Sequence, residues 1–169
     1  PRDIDIVVAG TNLNVLREKL GTFVTRETRF GGLKMKNDRW HFDVWPLQKT
    51  WAFQQDESIS VSFSSLPSTT FFNLEAIAVD VWPTSGGKRS IYSGNDQFFE
   101  GIINRTIELN LEINPFPALC IVRSLVLATT TRFTIGPRLA RFLSQQKDAV
   151  TDSELNEVQH RHYGSVRIN

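Results

Sequence analysis

The stretch Arg2-Asp3-Ile4-Asp5-Ile6-Val7-Val8 decides how the rest of the chain is read. Its Ile and Val residues favour an extended strand. Side chains along a strand alternate between faces, so Asp3 and Asp5 project to one side while Ile4 and Ile6 project to the other. One face is acidic and the other is core. Two carboxylates this close repel each other unless a cation sits between them, and a divalent metal is the usual reason a protein tolerates the pair. A half-buried strand with a solvated acidic face is the other reading of the same alternation.

Composition narrows the possibilities. With 169 residues, 40% of them hydrophobic and 22% charged, the chain has enough apolar material for one core, or one core plus an appended element, and too much to be disordered. No uninterrupted apolar stretch is long enough to span a bilayer and the N-terminus lacks a basic-then-apolar signal pattern, so a cytoplasmic location is expected. Cys120 is the only cysteine, which excludes an intrachain disulfide and a cysteine-based zinc site; its apolar surroundings point to burial. A net charge of +1 does not announce nucleic-acid binding, although Arg132, Arg138, Arg141 and Lys147 crowd the C-terminal third. They form either a phosphate-facing surface or a solvated helix face. The chain does not begin with Met, and further sequence before Pro1 is expected.

The pattern predicts a helix capped by Thr11 and ended at Gly21, then strands over 21–27, 32–36 and 40–46 with a hairpin turn at Asn37-Asp38. A short helix is expected over 48–55, and a Ser-rich loop around a weak strand over 58–70. Alternation from Phe72 to Trp82 predicts a further strand, closed by Pro83 and a Ser85-Gly86-Gly87 turn. Helices follow over 95–103, 117–130 and 137–146, the last started by Gly136-Pro137. Thr151 to Glu154 carries a capping signal for a helix stub whose packing partner lies elsewhere. The expected class is α+β, with a mixed or antiparallel sheet and flanking helices followed by a helical region; no fixed-period repeat is present.

A third carboxylate joins the first two. His41-Phe42-Asp43-Val44-Trp45 sets an acid among apolar neighbours on a later strand. In a sheet that places this strand beside the first, Asp3, Asp5 and Asp43 form a cluster of hard oxygen ligands suited to Mg²⁺. Such a cluster can hold two ions, Asp3 and Asp5 bridging both and Asp43 holding the one that activates an attacking hydroxyl. For Asp43 alone, a solvent-facing strand residue is the competing reading.

Five stretches, taken in order, resemble the head and neck of the tRNA nucleotidyltransferase and poly(A) polymerase family, class II of the polymerase-β-like nucleotidyltransferase superfamily. RDIDIVV resembles its catalytic Asp-x-Asp strand, and FDVWPLQK the strand written Phe/Tyr-Asp/Glu-Val-Thr-Thr-Phe-Arg. FFNLEAIAVDVWP resembles Phe-Thr-Ile-Asn-Ala-Leu-Ala-Tyr-Asp, and YSGNDQFFEGIINR the Gly-Gly-x-x-Asp-Leu helix. CIVRSLVLATTTRFTIGPRLARFL resembles the neck helix Arg-Ile-Leu-Arg-Ala-Leu-Arg-Phe-Ala followed by Phe-x-Ile. The resemblance implies a catalytic head over 1–92 and a helical neck and tail over 93–169. It further implies transfer of a nucleoside monophosphate from an NTP to a hydroxyl, with RNA as the expected acceptor, and Mg²⁺ or Mn²⁺ held by Asp3, Asp5 and Asp43. Arg123 on the neck matches a residue that faces the triphosphate, or is an ordinary helix-surface Arg.

The sequence also departs from the family. Where CCA-adding members carry an Arg-Arg-Asp triplet, this chain has Thr69, Thr70 and Phe71, and Phe116 to Cys120 replaces the Glu-Asp-x-x-Arg element that reads bases. Ala, Leu and Cys cannot present the paired donors and acceptors that discriminate bases, so standard CCA addition is not expected. The phosphate-gripping Gly-Gly or Gly-Ser element expected before the catalytic strand is absent from the chain, since Gly31-Gly32 and Gly86-Gly87 read as turns. A catalytically silent relative that binds RNA, nucleotide or a protein partner is therefore the alternative. His160 and His162 have no ligand cluster around them, which argues against zinc.

Overall fold

The computed structural model describes residues 2–82 and 86–168. The chain divides into two compact units, Pro1–Ser65 and Leu66–Asn169.

The first unit is built on a four-stranded sheet of β1 (Arg2–Val8), β2 (Val24–Glu27), β3 (Leu33–Lys36) and β4 (Trp40–Pro46), in the order β1-β4-β3-β2. β1 runs parallel to β4, while β4–β3 and β3–β2 are antiparallel. A parallel neighbour needs a crossover, and helix α1 (Leu13–Leu20) lies within it. Leu16 of α1 packs with Leu33 and Val44, joined by Ile6, Val8, Met35 and Phe42. These are the alternate residues of β1, β3 and β4, so one face of the sheet is core and the acidic set stands on the other. The expected hairpin turn forms one residue further on, across Asp38-Arg39: Asn37 N–H donates to Trp40 O at 2.9 Å, and the Asn37 side chain accepts from the backbone N–H groups of Arg39 and Trp40. Gly31, at φ 76°, and Gly32 make the β2–β3 turn, where the Gly32 N–H donates to the Thr28 hydroxyl at 2.9 Å.

Several boundaries differ from expectation for local reasons. Asn12, not Thr11, caps α1, because its side chain accepts from Val15 N–H. Residues 21–23 form a 3-10 turn rather than the start of β2. The helix expected over 48–55 is broken at Thr50, whose hydroxyl accepts from the Trp45 indole, leaving a 3-10 turn and α2 (Trp51–Gln55). The Ser-rich segment holds no strand; Phe63–Thr69 winds as a 3-10 helix.

The second unit has its core in Phe71, Phe72, Ile107, Leu109, Cys120, Leu139 and Phe142. The continuous strand expected over 72–82 does not form. Phe72 makes a lone bridge to Leu109, after which Asn73 turns the chain. The Asn73 amide acts as a surrogate peptide group, donating to Thr106 O at 3.0 Å and accepting from Glu108 N at 2.8 Å. What remains of the strand is β5 (Ala78–Val79), paired with β6 (Ile91–Tyr92). Pro83 and Ser85 of the expected turn lie outside the described residues.

Helix α3 (Gln97–Ile103) starts two residues later than expected because Asn95 and Asp96 have positive φ. It is followed by β7 (Thr106–Ile107), α4 (Pro117–Thr131), β8 (Thr134–Ile135) and α5 (Pro137–Gln146). The Glu108 carboxylate accepts from Arg138 N and Leu139 N at the α5 N-terminus, where a negative group is favoured. A Cβ on Gly136 would stand 2.5 Å from that carboxylate, so any larger residue there would push the Glu108 side chain away from the α5 N-terminus. The C-terminal segment is a full helix, α6 (Asp152–Tyr163), and it packs along α4 within this unit, correcting the expectation of a distant partner. Buried Gln159 holds the chain end by accepting from Arg167 N and Ile168 N and donating to Ile168 O.

Candidate functional site

The strand register decides which polar side chains share a surface. Asp3 is in register with His41 and Asp5 with Asp43 across the parallel β1–β4 pair. Across the antiparallel β3–β4 pair, Lys34 faces Asp43 and Lys36 faces His41. Registered residues on neighbouring strands point the same way, so Asp3, Asp5, His41, Asp43, Lys34 and Lys36 stand on the face opposite Leu33 and Val44. The three acids indicated by the sequence therefore lie on adjacent strands and on one face.

Each is held differently. The Lys34 ammonium donates to Asp43 Oδ2 at 2.8 Å. Asp43 Oδ1 is sealed from solvent and accepts no hydrogen bond, an expensive state for a carboxylate oxygen. Asp3 is far more open, its side chain 78% exposed, with Asp3 Oδ1 3.4 Å from His41 Nδ1. Among the described residues no three His, Cys, Asp or Glu side chains are gathered closely enough to enclose a metal ion. The acids are thus aligned on a common face without being drawn together, and Asp43 already has a cationic neighbour. Sequence reasoning passed over Lys34, although part of the signal was present. Leu33-Lys34-Met35-Lys36 alternates, which sets Lys34 on the face away from the core, but a two-residue turn at Asn37-Asp38 pairs position 34 with position 41, and only the observed turn, closed from Asn37 N–H to Trp40 O, pairs it with position 43.

Hard oxygen donors on a rigid sheet, with one of them orphaned, suit a divalent cation such as Mg²⁺ or Mn²⁺. Side chains paired across neighbouring strands have Cβ atoms about 5 Å apart, so exposed Asp3 and Asp5 reach toward Asp43 by rotation about their own bonds.

Arg123 belongs to the second unit. Its guanidinium pairs with the Glu75 carboxylate and lies 5.3 Å from the centroid of the Phe72 ring. Cys120, one turn earlier on α4, is buried, and desolvation pushes its thiol up to about 12 against the opposing charge of Arg123. Burial likewise raises the Tyr163 phenol. Thr69, Thr70, Phe71 and Cys120 are all engaged in holding the second unit together. Phe71 is core, stacked edge-on with Phe72 and Phe142. The Thr69 hydroxyl donates to Leu66 O, and that of Thr70 bonds the carbonyls of Pro67 and Phe72. A polar cleft of about 310 Å³ opens beside Asn73, Glu100, Asn104 and Glu108. Asn73 and Glu108, its buried and half-buried members, are spent on the backbone bonds described above.

Comparison with solved structures then places the architecture. A CCA-adding enzyme in complex with CTP superposes with a TM-score of 0.67 over 98% of this chain, at 16% identity. Over the matched stretch the chain shares the fold of that enzyme, a mixed four-stranded sheet with flanking helices followed by further helices. The apo form of a tRNA-processing enzyme gives 0.65 over 98% at 15% identity. A tRNA nucleotidyltransferase complexed with a primer tRNA and an incoming ATP analogue gives 0.59 over 92% at 17% identity. The chain spans 40%, 44% and 46% of these three proteins respectively. No family model matches the sequence, and no curated protein matches it. Among the described residues, no helix is long and apolar enough to cross a membrane.

Proposed function

We propose that this chain is the head and neck portion of a metal-dependent nucleotidyltransferase that moves a nucleoside monophosphate from an NTP to a hydroxyl on RNA. The observation that carries the reading is the β1–β4 register, which sets Asp5 opposite Asp43 and Asp3 one pair away on the same face. The likeness of fold to proteins solved with CTP and with a primer tRNA supports NTP and RNA as ligands.

A bound Mg²⁺ or Mn²⁺ would activate the attacking hydroxyl and neutralise charge on the departing pyrophosphate. Asp3 and Asp5 would hold it from β1, and Asp43 would contribute the oxygen that now lacks a partner. The sheet fixes the backbone positions of these acids, and their side chains would close on the ion by rotation about their own bonds.

Standard CCA addition is not part of the proposal. Phe71 and Cys120 are buried, and Thr69 and Thr70 are bound to backbone carbonyls, so these positions offer no free base-reading edge. The Lys34–Asp43 pair favours a second reading, a catalytically silent relative that keeps the fold to bind RNA, nucleotide or a protein.

The two readings separate on metal response. In the first, millimolar Mg²⁺ or Mn²⁺ raises the melting temperature of the wild type, because a ligand that binds only the folded state stabilises it. The Asp3→Asn, Asp5→Asn double variant melts no lower than wild type without metal and gains nothing when metal is added. A wild type indifferent to both ions, with or without NTP, would overturn the enzymatic reading.

A further inference from the structure

The carboxylate most sheltered on the acidic face is already paired. Lys34 Nζ lies 2.8 Å from Asp43 Oδ2, while Asp43 Oδ1, in the same carboxylate, has no donor. Lys34 is fixed there by register, directly across β3–β4 from Asp43, and Asp5 is directly across β4–β1 on the other side. The row therefore reads ammonium, carboxylate, carboxylate across three adjacent strands.

We infer that Lys34 is a resident counter-cation that holds Asp43 before metal arrives and sets how tightly the site takes a divalent ion. The inference rests on the proposed metal-dependent function and names the residue that regulates it. A divalent ion approaching Asp43 meets the Lys34 ammonium within the distance over which like charges repel strongly, so binding requires the lysine to swing away or to remain at a cost in affinity. The side chain is 37% exposed, leaving a solvent route for that movement. Once displaced, its four-carbon stem and three rotatable donors make it a point charge available to an anionic ligand on the same face. Lys36 provides an internal control. It stands on the same face of the same strand, two residues along, but is registered to His41 rather than Asp43.

The test is a Mn²⁺ titration at about 0.15 M ionic strength, where charges beyond about 8 Å are largely screened, without nucleotide, following free Mn²⁺ by electron paramagnetic resonance. It is run on wild type, Lys34→Met, Lys34→Gln, Lys34→Arg and Lys36→Met, with folding checked by circular dichroism. Removing the ammonium should tighten Mn²⁺ binding about tenfold. Lys34→Arg should bind as weakly as wild type, and Lys36→Met, which removes the same net charge, should stay within about twofold of it. Adding Asp43→Asn to Lys34→Met should abolish the gain. Lys34→Gln carries the same expectation in a polar side chain, so misfolding of the Met variant does not remove the test. If wild type binds Mn²⁺ and neither neutral variant binds it more tightly, or Lys36→Met tightens it equally, the counter-cation role is overturned while the metal site stands. If no variant binds Mn²⁺ at millimolar concentration, the metal-dependent reading fails, and this inference with it.

Discussion

Replacing Asn73 by Ala tests the idea that one side-chain amide, rather than a strand, organises the second unit. Asn73 is 5% exposed, and its amide makes two bonds to backbone, donating to Thr106 O at 3.0 Å and accepting from Glu108 N at 2.8 Å. Alanine leaves both peptide groups without that partner, and each buried group so stranded costs about 1–3 kcal/mol. The expected loss is therefore about 2–6 kcal/mol, a large fraction of a small unit's stability. Asn73→Asp should be no milder, because a carboxylate can accept from Glu108 N but turns an acceptor toward Thr106 O. Equilibrium urea unfolding followed by far-ultraviolet circular dichroism reads the effect, since α3 to α6 all lie in this unit. A loss below about 1 kcal/mol with an unchanged slope would refute the reasoning, because exposed or water-replaced bonds would cost that little.

Two further outcomes concern titratable and capping groups in the same unit. Cys120 should resist thiol-modifying reagents in the native protein at pH 8 and react on denaturation; its thiol moves from 9.0 in the open chain to about 12 when folded. The unfolded chain therefore loses this proton first, so stability is full below about pH 9 and declines toward pH 12, whereas Cys120→Ala should flatten that part of a stability–pH curve. Thr151 caps α6 through a reciprocal box with Glu154, and Thr151→Ala should destabilise α6 by about 1 kcal/mol, measured as faster amide exchange in its first turn. Backbone and hydroxyl donors from Thr151 lower the Glu154 carboxyl pKa, so the Glu154 contribution is present at neutral pH and disappears as pH falls through that lowered value.

Much of the fold was legible because its signals are local and periodic. The alternation in β1 and β4 marked the core face, and Asn37-Asp38 marked the hairpin, although the turn closes one residue later and so shifts the β3–β4 pairing by two positions from the one expected. Gly136-Pro137 and Thr151 marked the starts of α5 and α6. The failures share a cause, since each involves a polar side chain standing in for backbone. Asn73 turns a segment whose alternation reads as strand, and Thr50 interrupts a helix by accepting from Trp45. Neither partner can be named without the tertiary structure. At the candidate site the shared face of the acids and of Lys34 was readable from parity, whereas the Lys34–Asp43 pairing depends on a turn closed one residue later than the sequence suggests. The Arg123–Glu75 pair was not, because 48 residues separate the two and no pattern links them.

The central claim is that Asp3, Asp5 and Asp43 form one metal-dependent transfer site, and labelled NTP transfer tests it most directly. The protein is incubated with bulk RNA and each of the four α-phosphate-labelled NTPs, with Mg²⁺, with Mn²⁺ and with chelator. The account predicts label in RNA only when metal is present, with weak preference among the four bases, and a fall of about 100-fold or more in Asp5→Asn and in Asp43→Asn while both variants remain folded. Incorporation that survives chelation or either substitution, or no incorporation with any NTP, would contradict it.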